Sequence, residues 1–203
     1  MISRAVQFLF EVGMLKKTPR SGFQFLGTGE ESVAEHSFRT AVAGYVLATM
    51  TAGADASRVV MMCLFHDLPE ARTGDHNYVN KRYVTADETG ALSDQVRGLA
   101  FGPDITGLIE EFNALETLEA RIARDADQID LILDLKTQLD TGNPRAEAWL
   151  SFAQKRLLTE NGRRMVREIL RAESDAWWFD KETDWWVNGP ENHKHSRDDG
   201  HRK

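Results

Sequence analysis

Helical periodicity runs through almost the whole of this chain. Apolar side chains recur every three or four residues, most regularly over residues 116–140, in ETLEARIARDADQIDLILDLKTQLD. No stretch shows the sustained alternation of apolar and polar residues that a half-buried strand requires. We therefore expect an all-α helical bundle. A chain of 203 residues is long enough to bury a core of its own, and we predict one domain over residues 1–180.

Local signals predict where the first helices begin and end. MISRAVQFLFEVGML is apolar, but Glu11 interrupts it and no small-residue cleavage site follows, so we interpret it as an amphipathic helix rather than a signal peptide. KKTPRSGFQFLGTGEES contains a proline and three glycines and is predicted to be a loop. Ser32 and Glu35 form an S-x-x-E capping box at the start of a second helix. Asp55 is the expected N-cap of a third helix.

The third helix meets a proline. Pro69 lacks a backbone donor and would crowd the carbonyl of Phe65, so a kink or a restart is expected there, and Gly74 is a natural end. Residues 76–103 are less regular and are predicted to form a surface excursion. Further helices are expected at about residues 105–115, 116–142 and 145–174.

The helix that follows residue 116 has two predicted faces. Its core stripe is predicted to contain Leu118, Ile122, Ile129 and Leu133. Its solvent side is predicted to contain Arg121, Arg124, Asp125 and Gln128. Asp127 falls outside the solvent group, on a face of small and apolar residues, which indicates a buried carboxylate.

Three segments therefore turn polar side chains inward. His36 lies on a small and apolar helix face, and His66 follows the apolar stripe of the third helix. Burying these imidazoles with Asp67 and Asp127 uncompensated would cost several kcal/mol for each group. A divalent cation at their meeting point would remove that cost, whereas buried salt bridges are an alternative that spacing alone leaves open.

Such a donor set has a preference among metals. Mixed imidazole and carboxylate ligation suits Mn²⁺, Co²⁺, Fe²⁺, Zn²⁺ or Mg²⁺. Four protein ligands on an octahedral ion leave positions for water and substrate, which is typical of a catalytic site.

Composition restricts the partners of this protein. A formal net charge of −7 and a pI near 5.4 repel the backbone of a nucleic-acid polymer. No apolar run approaches the roughly 20 residues that span a bilayer. Cys63 is the only cysteine, so there is no disulfide framework and no thiolate zinc site, and we expect a buried core thiol in a cytoplasmic protein.

Three segments resemble a known family. SVAEHS, CLFHDLPEARTGD and RDADQIDLIL are similar, in order and spacing, to the H…HD…D signature of the HD-domain superfamily of metal-dependent phosphohydrolases. His66 follows His36 by 30 positions, and Asp127 follows Asp67 by 60. The run EARTGD and the upstream LKKTPRSGF look like the 5′-deoxynucleotidase branch. The resemblance covers roughly residues 5–175 and implies an HD-domain helical bundle.

The resemblance assigns roles position by position. It implies that His36, His66, Asp67 and Asp127 hold one divalent metal ion. Glu70 matches the carboxylate that handles protons on the attacking water, and it can face the same pocket because it lies one helical turn beyond His66.

Further matches concern the substrate. Asp75 matches a second catalytic carboxylate that lies close to the sugar hydroxyl. Arg20 matches a basic residue that reaches the phosphate from the first loop, where its guanidinium could bind phosphate oxygens as a fork. Lys81 matches a residue that binds the same phosphate, but less specifically. Without the resemblance, these side chains would read as solvated surface groups. Ser21 stands where some members have a tryptophan near the sugar.

The implied activity is hydrolysis of nucleoside 5′-monophosphates, in particular deoxynucleotides, to nucleoside and phosphate. One alternative is an HD phosphohydrolase of cyclic dinucleotides, alarmones or triphosphates. A redox di-iron HD oxygenase would need extra histidines before the last aspartate, and only His76 lies there. A non-catalytic, metal-containing binding module is the fourth hypothesis.

The C-terminal region carries an aromatic segment and a polar tail. Four of the five tryptophans lie in DAWWFDKETDWW, which we expect to cover an open end of the bundle or to form a dimer seam rather than a ligand platform. Together with the resemblance to the HD-domain superfamily, this tryptophan-rich segment predicts that the protein forms a homodimer. Residues 188–203 are predicted to be a disordered tail. Its histidines (His193, His195 and His201) could bind metal adventitiously.

Overall fold

The computed structural model describes residues 2–179, 181–183 and 185–189. The predicted tail therefore lies outside the described residues, apart from its first two positions. The described ranges contain helices and no strand, which confirms the all-α prediction. The α-helices are α1 (Ile2–Val12), α2 (Phe23–Leu26), α3 (Val33–Thr49), α4 (Ala56–Phe65), α5 (Glu70–Thr73), α6 (Glu88–Val96), α7 (Gly102–Ala114), α8 (Leu118–Asp140), α9 (Arg145–Ala153), α10 (Glu160–Arg171) and α11 (Trp185–Asn188). None of these helices is both long enough and apolar enough to cross a membrane.

Three helices, α3, α4 and α8, pack against one another at the centre of the fold. The main core cluster includes Leu47, Met62 and Ile122, all essentially inaccessible to solvent. Gly44 allows α3 and α4 to approach closely, because a Cβ there would lie only 2.8 Å from Cys63 Sγ. This close packing brings the polar residues of the three helices to one place.

Cys63 is buried in that core, as expected. Burial raises the pKa of its thiol, because the thiolate would lose its hydration. Cys63 is thus an unreactive packing residue.

Helix ends follow the local signals of the sequence. Ser32 and Glu35 form the capping box of α3, and Asp55 accepts a hydrogen bond from the Arg58 amide at 3.1 Å as the N-cap of α4. α4 ends at Phe65, and Pro69 immediately precedes α5. Proline is well tolerated at the start of a helix, where its missing donor breaks no helical hydrogen bond. The expected restart is confirmed.

The prediction of an irregular excursion over residues 76–103 is only partly right. Residues 80–82 form a 3₁₀ turn, but α6 packs into a second core cluster through Leu92. The buried Gln95 Nε2 donates to the Leu68 carbonyl oxygen at 3.0 Å and so supports the turn that follows α4. Nine residues with few apolar positions are too short to reveal a helical period.

The predicted continuous helix over residues 145–174 is wrong, because the chain breaks between α9 and α10. Asp125, predicted to face solvent, is fully buried at this break. It accepts hydrogen bonds from the amides of Leu158 and Thr159 at 2.6 and 2.8 Å and from Thr159 Oγ1 at 2.6 Å. A carboxylate with three donors is well compensated, which explains its burial.

Replacing Asp125 by alanine should lower the free energy of unfolding by about 3 kcal/mol or more, because three donors lose a charged acceptor. Denaturant unfolding followed by circular dichroism measures the change. The exposed Glu110→Ala on α7 is the control and should change stability by less than about 0.5 kcal/mol. Equal effects of the two variants would contradict this account of the break.

The tryptophan segment packs largely on itself. Trp186 has ring contacts with Trp178, Phe179 and Trp185 at centroid distances of 5.6, 5.1 and 4.3 Å. Trp177 remains 86% exposed. The roles as a bundle cover or a dimer seam stay predictions.

Candidate active site

The four side chains predicted to bind metal converge from three parts of the fold. His36 lies on α3, His66 and Asp67 lie in the turn after α4, and Asp127 lies on α8. His36 Nε2 is 3.3 Å from His66 Nε2, 3.4 Å from Asp127 Oδ1 and 3.6 Å from Asp67 Oδ2. His66 Nε2 is 3.3 Å from Asp67 Oδ2. His36, His66 and Asp67 form one compact group whose ligand atoms all lie within 4.8 Å of one another, and Asp127 adjoins this group through His36.

Both imidazoles are oriented by a hydrogen bond on the opposite side of the ring. His66 Nδ1 donates to the Cys63 carbonyl oxygen at 2.8 Å, and His36 Nδ1 donates to Asp130 Oδ2 at 2.6 Å. In each neutral ring, the Nε2 lone pair then faces the cluster. Adjacent donors of an octahedral ion with bonds of about 2.1 Å lie about 3.0 Å apart. The donor set and its spacing therefore fit a divalent cation.

A second layer of charge supports His36, and sequence reasoning missed it. Asp130 is fully buried and also binds Arg39, whose guanidinium lies 2.6 Å from Asp134 Oδ2 and 3.3 Å from Glu31 Oε1. The available signal was spacing, because Arg39 follows His36 by three residues and Asp130 follows Asp127 by three, which places each pair on one helix face.

The cluster has strongly shifted acidities. Burial alone would raise the pKa of Asp127, but its hydrogen bond to His36 and the nearby positive charges hold it well below its usual range. Burial opposes the protonation of His36, yet its hydrogen bonds to Asp127 and Asp130 raise its pKa to about 10. Burial, and then the charges of Asp67 and Asp75, raise the pKa of Glu70 to about 9.

These shifts predict how pH affects the metal-free protein. The pKa of His36 rises from 6.5 to about 10 on folding and that of Glu70 from 4.5 to about 9, so the folded state holds more protons. Protonated His36 contributes stability that is fully present below pH 6.5 and is lost as the pH rises to about 10. Protonated Glu70 contributes stability that is lost as the pH rises from 4.5 to about 9.

When a chelator keeps the protein metal-free, its melting temperature should therefore decrease as the pH is raised from about 6.5 to about 9. Cation binding displaces the proton of His36, so the rise in melting temperature caused by Mn²⁺ should be larger at pH 9 than at pH 6.5. Thermal unfolding at both pH values, with and without Mn²⁺, measures this difference. A stabilisation that shrinks at the higher pH would contradict the assignment of His36.

The predicted substrate residues lie in or around one cavity of about 810 Å³. Arg20 Nη1 is 3.2 Å from Asp67 Oδ2. Asp75 accepts a hydrogen bond from the Ser21 amide at 2.7 Å, which ties the first loop to the end of α5. The buried Glu70 Oε2 has no hydrogen-bond partner among the described residues, and the exposed Lys81 lies on the cavity lining.

Two residues predicted to face solvent instead line this cavity. Gln128 is 8% exposed and donates to Asp127 Oδ2 at 3.0 Å. Arg124 Nη1 is 3.5 Å from the same oxygen. The prediction for these two residues was wrong because helical spacing does not distinguish a face exposed to bulk solvent from one that borders a polar cavity, as this face of α8 does.

Comparisons with known proteins agree with this geometry. A family model described as HD domain matches residues 12–168. The human 5′-deoxynucleotidase HDDC2 is 30% identical over 134 residues, which cover 63% of this chain and 65% of the human protein. The Bos taurus 5′-deoxynucleotidase HDDC2 is 28% identical over 144 residues, which cover 68% of this chain and 69% of that protein.

Solved structures share the fold. A conserved hypothetical protein from Pyrococcus furiosus has a TM-score of 0.70 at 27% identity, with 82% of this chain and 99% of that chain covered. An HD-domain phosphohydrolase from Listeria innocua has a TM-score of 0.62 at 20% identity, with 88% and 92% covered, and shares the fold alone. The matched family region includes all four converging side chains, and the membership predicted from the sequence is confirmed: this chain belongs to the HD domain family.

Proposed function

We propose that this protein is a metal-dependent phosphomonoesterase that hydrolyses nucleoside 5′-monophosphates, in particular deoxynucleotides, to nucleoside and phosphate. The activity is assigned to one domain, residues 1–180. The observation that carries the proposal is one cavity lined by His66, Asp67, Asp127, Glu70 and Arg20. The buried His36 contacts this lining through His66 and Asp127. The names of the curated relatives, which are 5′-deoxynucleotidases, support the choice of substrate.

His36, His66, Asp67 and Asp127 would hold one divalent ion, which could be Mn²⁺, Co²⁺, Mg²⁺, Fe²⁺ or Zn²⁺. When bound, the ion supplies a Lewis acid that acidifies water and neutralises phosphate charge. Asp130 keeps the His36 ring in its ligating orientation.

Glu70 and Arg20 act on the reacting phosphate. In the reaction, the oxygen of water forms a bond to phosphorus and releases one of its two protons, the bond from phosphorus to the 5′ oxygen breaks, and the 5′ oxygen takes up one proton. Burial and the neighbouring carboxylates raise the pKa of Glu70 in the metal-free protein, and in the enzyme its carboxyl is proposed to donate a proton to the leaving oxygen. Arg20 can bind phosphate oxygens as a fork, with Lys81 as a second cation on the cavity lining.

The remaining cavity wall suits a nucleoside. Asp75 lies beside the first loop and is proposed to approach the sugar hydroxyl. Phe23, Tyr78 and Trp149 add aromatic surface on which a planar base can stack. Trp149 lies on α9 and approaches Gly22. It therefore supplies a tryptophan close to Ser21, the loop residue that stands where some family members have a tryptophan.

A substrate panel tests the proposal. Metal-free protein is reloaded with each of the five ions and assayed for phosphate release from deoxyribonucleoside and ribonucleoside 5′-monophosphates. Nucleoside di- and triphosphates, cyclic dinucleotides and alarmones are assayed in parallel. We expect the 5′-monophosphates to be hydrolysed fastest; no phosphate release from any of them with any metal would refute the activity.

Metal analysis separates the redox alternative. His76 lines the cavity, but it does not belong to the compact ligand groups found among the described residues. One metal equivalent per chain is expected, and two irons per chain would favour the oxygenase.

A cytoplasmic homodimer is part of the proposal. The outer face of α3 carries exposed apolar side chains at helical spacing, namely Phe38, Val42, Tyr45 and Val46. Light scattering measures the mass in solution, and a monomer at micromolar concentration would contradict the dimer.

A further inference from the structure

We propose that Arg124 is a second phosphate-binding residue of the active site, acting together with Arg20. This inference rests on the proposed function, because the ligand is the phosphate group of a monoester. The sequence pattern and the comparisons assign no role to Arg124.

The guanidinium of Arg124 is held beside the ligand cluster. Its Nη1 is 3.5 Å from Asp127 Oδ2, and its Cζ lies 4.4 Å from the ring centroid of Phe112. Phe112 in turn packs against His66, with ring centroids 4.8 Å apart. Stacking on Phe112 therefore fixes the cation next to two of the four ligands while it lines the cavity.

Arg124 also has donors to spare. A guanidinium carries five N–H donors, and Asp127 is the only carboxylate within ion-pair distance of Arg124 among the described residues. Asp127 Oδ2 already accepts a shorter hydrogen bond from Gln128, at 3.0 Å. Arg39 differs, because three carboxylates surround it, so it serves the structure behind His36.

Two arginines thus approach the ligand cluster through different carboxylates. Arg20 contacts Asp67 Oδ2 from the first loop, and Arg124 contacts Asp127 Oδ2 from α8. A phosphate bound at the cluster would present oxygens to both guanidinium groups. In a protein of net charge −7, two forked cations at this cavity offset the surrounding carboxylates and favour a dianionic ligand.

Calorimetry of inorganic phosphate binding to the Co²⁺-loaded protein tests the assignment without turnover. Arg124→Ala should weaken phosphate binding by about 10- to 100-fold, the loss expected for a charge-assisted pair. Arg124→Lys should recover part of the affinity, because lysine keeps the charge but lacks the fork. Arg121→Ala, on an exposed arginine one turn earlier on α8 that lies outside the cavity lining, should bind like wild type.

Co²⁺ affinity, measured on the same variants, separates phosphate binding from support of Asp127. It should stay within about threefold of wild type in Arg124→Ala. A fall in Co²⁺ affinity that accounts for the loss of phosphate binding would overturn the proposal, as would unchanged phosphate binding in Arg124→Ala or its absence in wild type.

Failure of the role of Arg124 can be distinguished from failure of the proposed activity. If wild type hydrolyses no mononucleotide but Arg124→Ala loses phosphate affinity alone, Arg124 is an anion-binding residue and the proposed function fails. If wild type is active and the variant binds phosphate normally, only the role of Arg124 fails.

Discussion

Replacing His66 by alanine is expected to remove the divalent ion and to lower kcat/KM for a 5′-mononucleotide by at least about a thousandfold. His66 Nε2 lies 3.3 Å from both His36 Nε2 and Asp67 Oδ2, so the substitution opens one side of the ligand cluster. The remaining carboxylates would then face each other with less compensation. Metal content after dialysis and phosphate release from the same preparation measure both effects.

The tail histidines provide the matched control for this experiment. A variant with His193, His195 and His201 all replaced by alanine should retain one metal equivalent per chain and its activity. If that variant loses the metal while His66→Ala keeps it, the metal site assigned to the three helices is wrong.

Replacing Glu70 by glutamine is expected to lower kcat by about 10²- to 10⁴-fold while the protein still binds one metal equivalent. Glutamine preserves the shape of the side chain but cannot exchange a proton. Glu70 Oε2 has no hydrogen-bond partner among the described residues, so no hydrogen bond in that part of the chain is lost when this oxygen is replaced. Single-turnover phosphate release, with metal content determined in parallel, separates lost chemistry from lost metal.

A stability measurement shows whether Glu70→Gln acts through folding. The pKa of Glu70 is raised from 4.5 to about 9, so the metal-free native state is disfavoured as pH rises through that range. Glutamine removes this pH dependence, and metal-free Glu70→Gln should be at least as stable as wild type at pH 9. Turnover of Glu70→Gln at the wild-type rate would refute the catalytic role of Glu70. Absence of nucleotidase activity in wild type itself would instead favour a non-catalytic binding module.

Much of the fold could be predicted because its signals are local. The capping box at Ser32 and Glu35, the restart at Pro69 and the end at Gly74 depend on hydrogen bonds and backbone angles within a few residues. The inward position of His36 could be predicted too, because a helix face is a property of spacing alone.

The details of the site could be predicted only in part. The resemblance supplied the ligands, but Asp130 and Arg39 were missed although they lie on the same helix faces as Asp127 and His36. A carboxylate three residues from a ligand is common on helices. Only the 2.6 Å contact between His36 Nδ1 and Asp130 Oδ2 distinguishes this one.

The sequence by itself determined the all-helical class, the helix ends at Ser32, Asp55, Pro69 and Gly74 and which imidazoles face inward, because neighbouring residues decide these features. Only the tertiary structure decided that Asp125 is buried by donors more than thirty residues away, and that Arg124 lines the cavity instead of facing bulk water. A polar side chain on a helix is equally compatible with solvent and with a polar cavity. Which of the two surrounds it depends on the elements that pack against that helix from elsewhere in the chain.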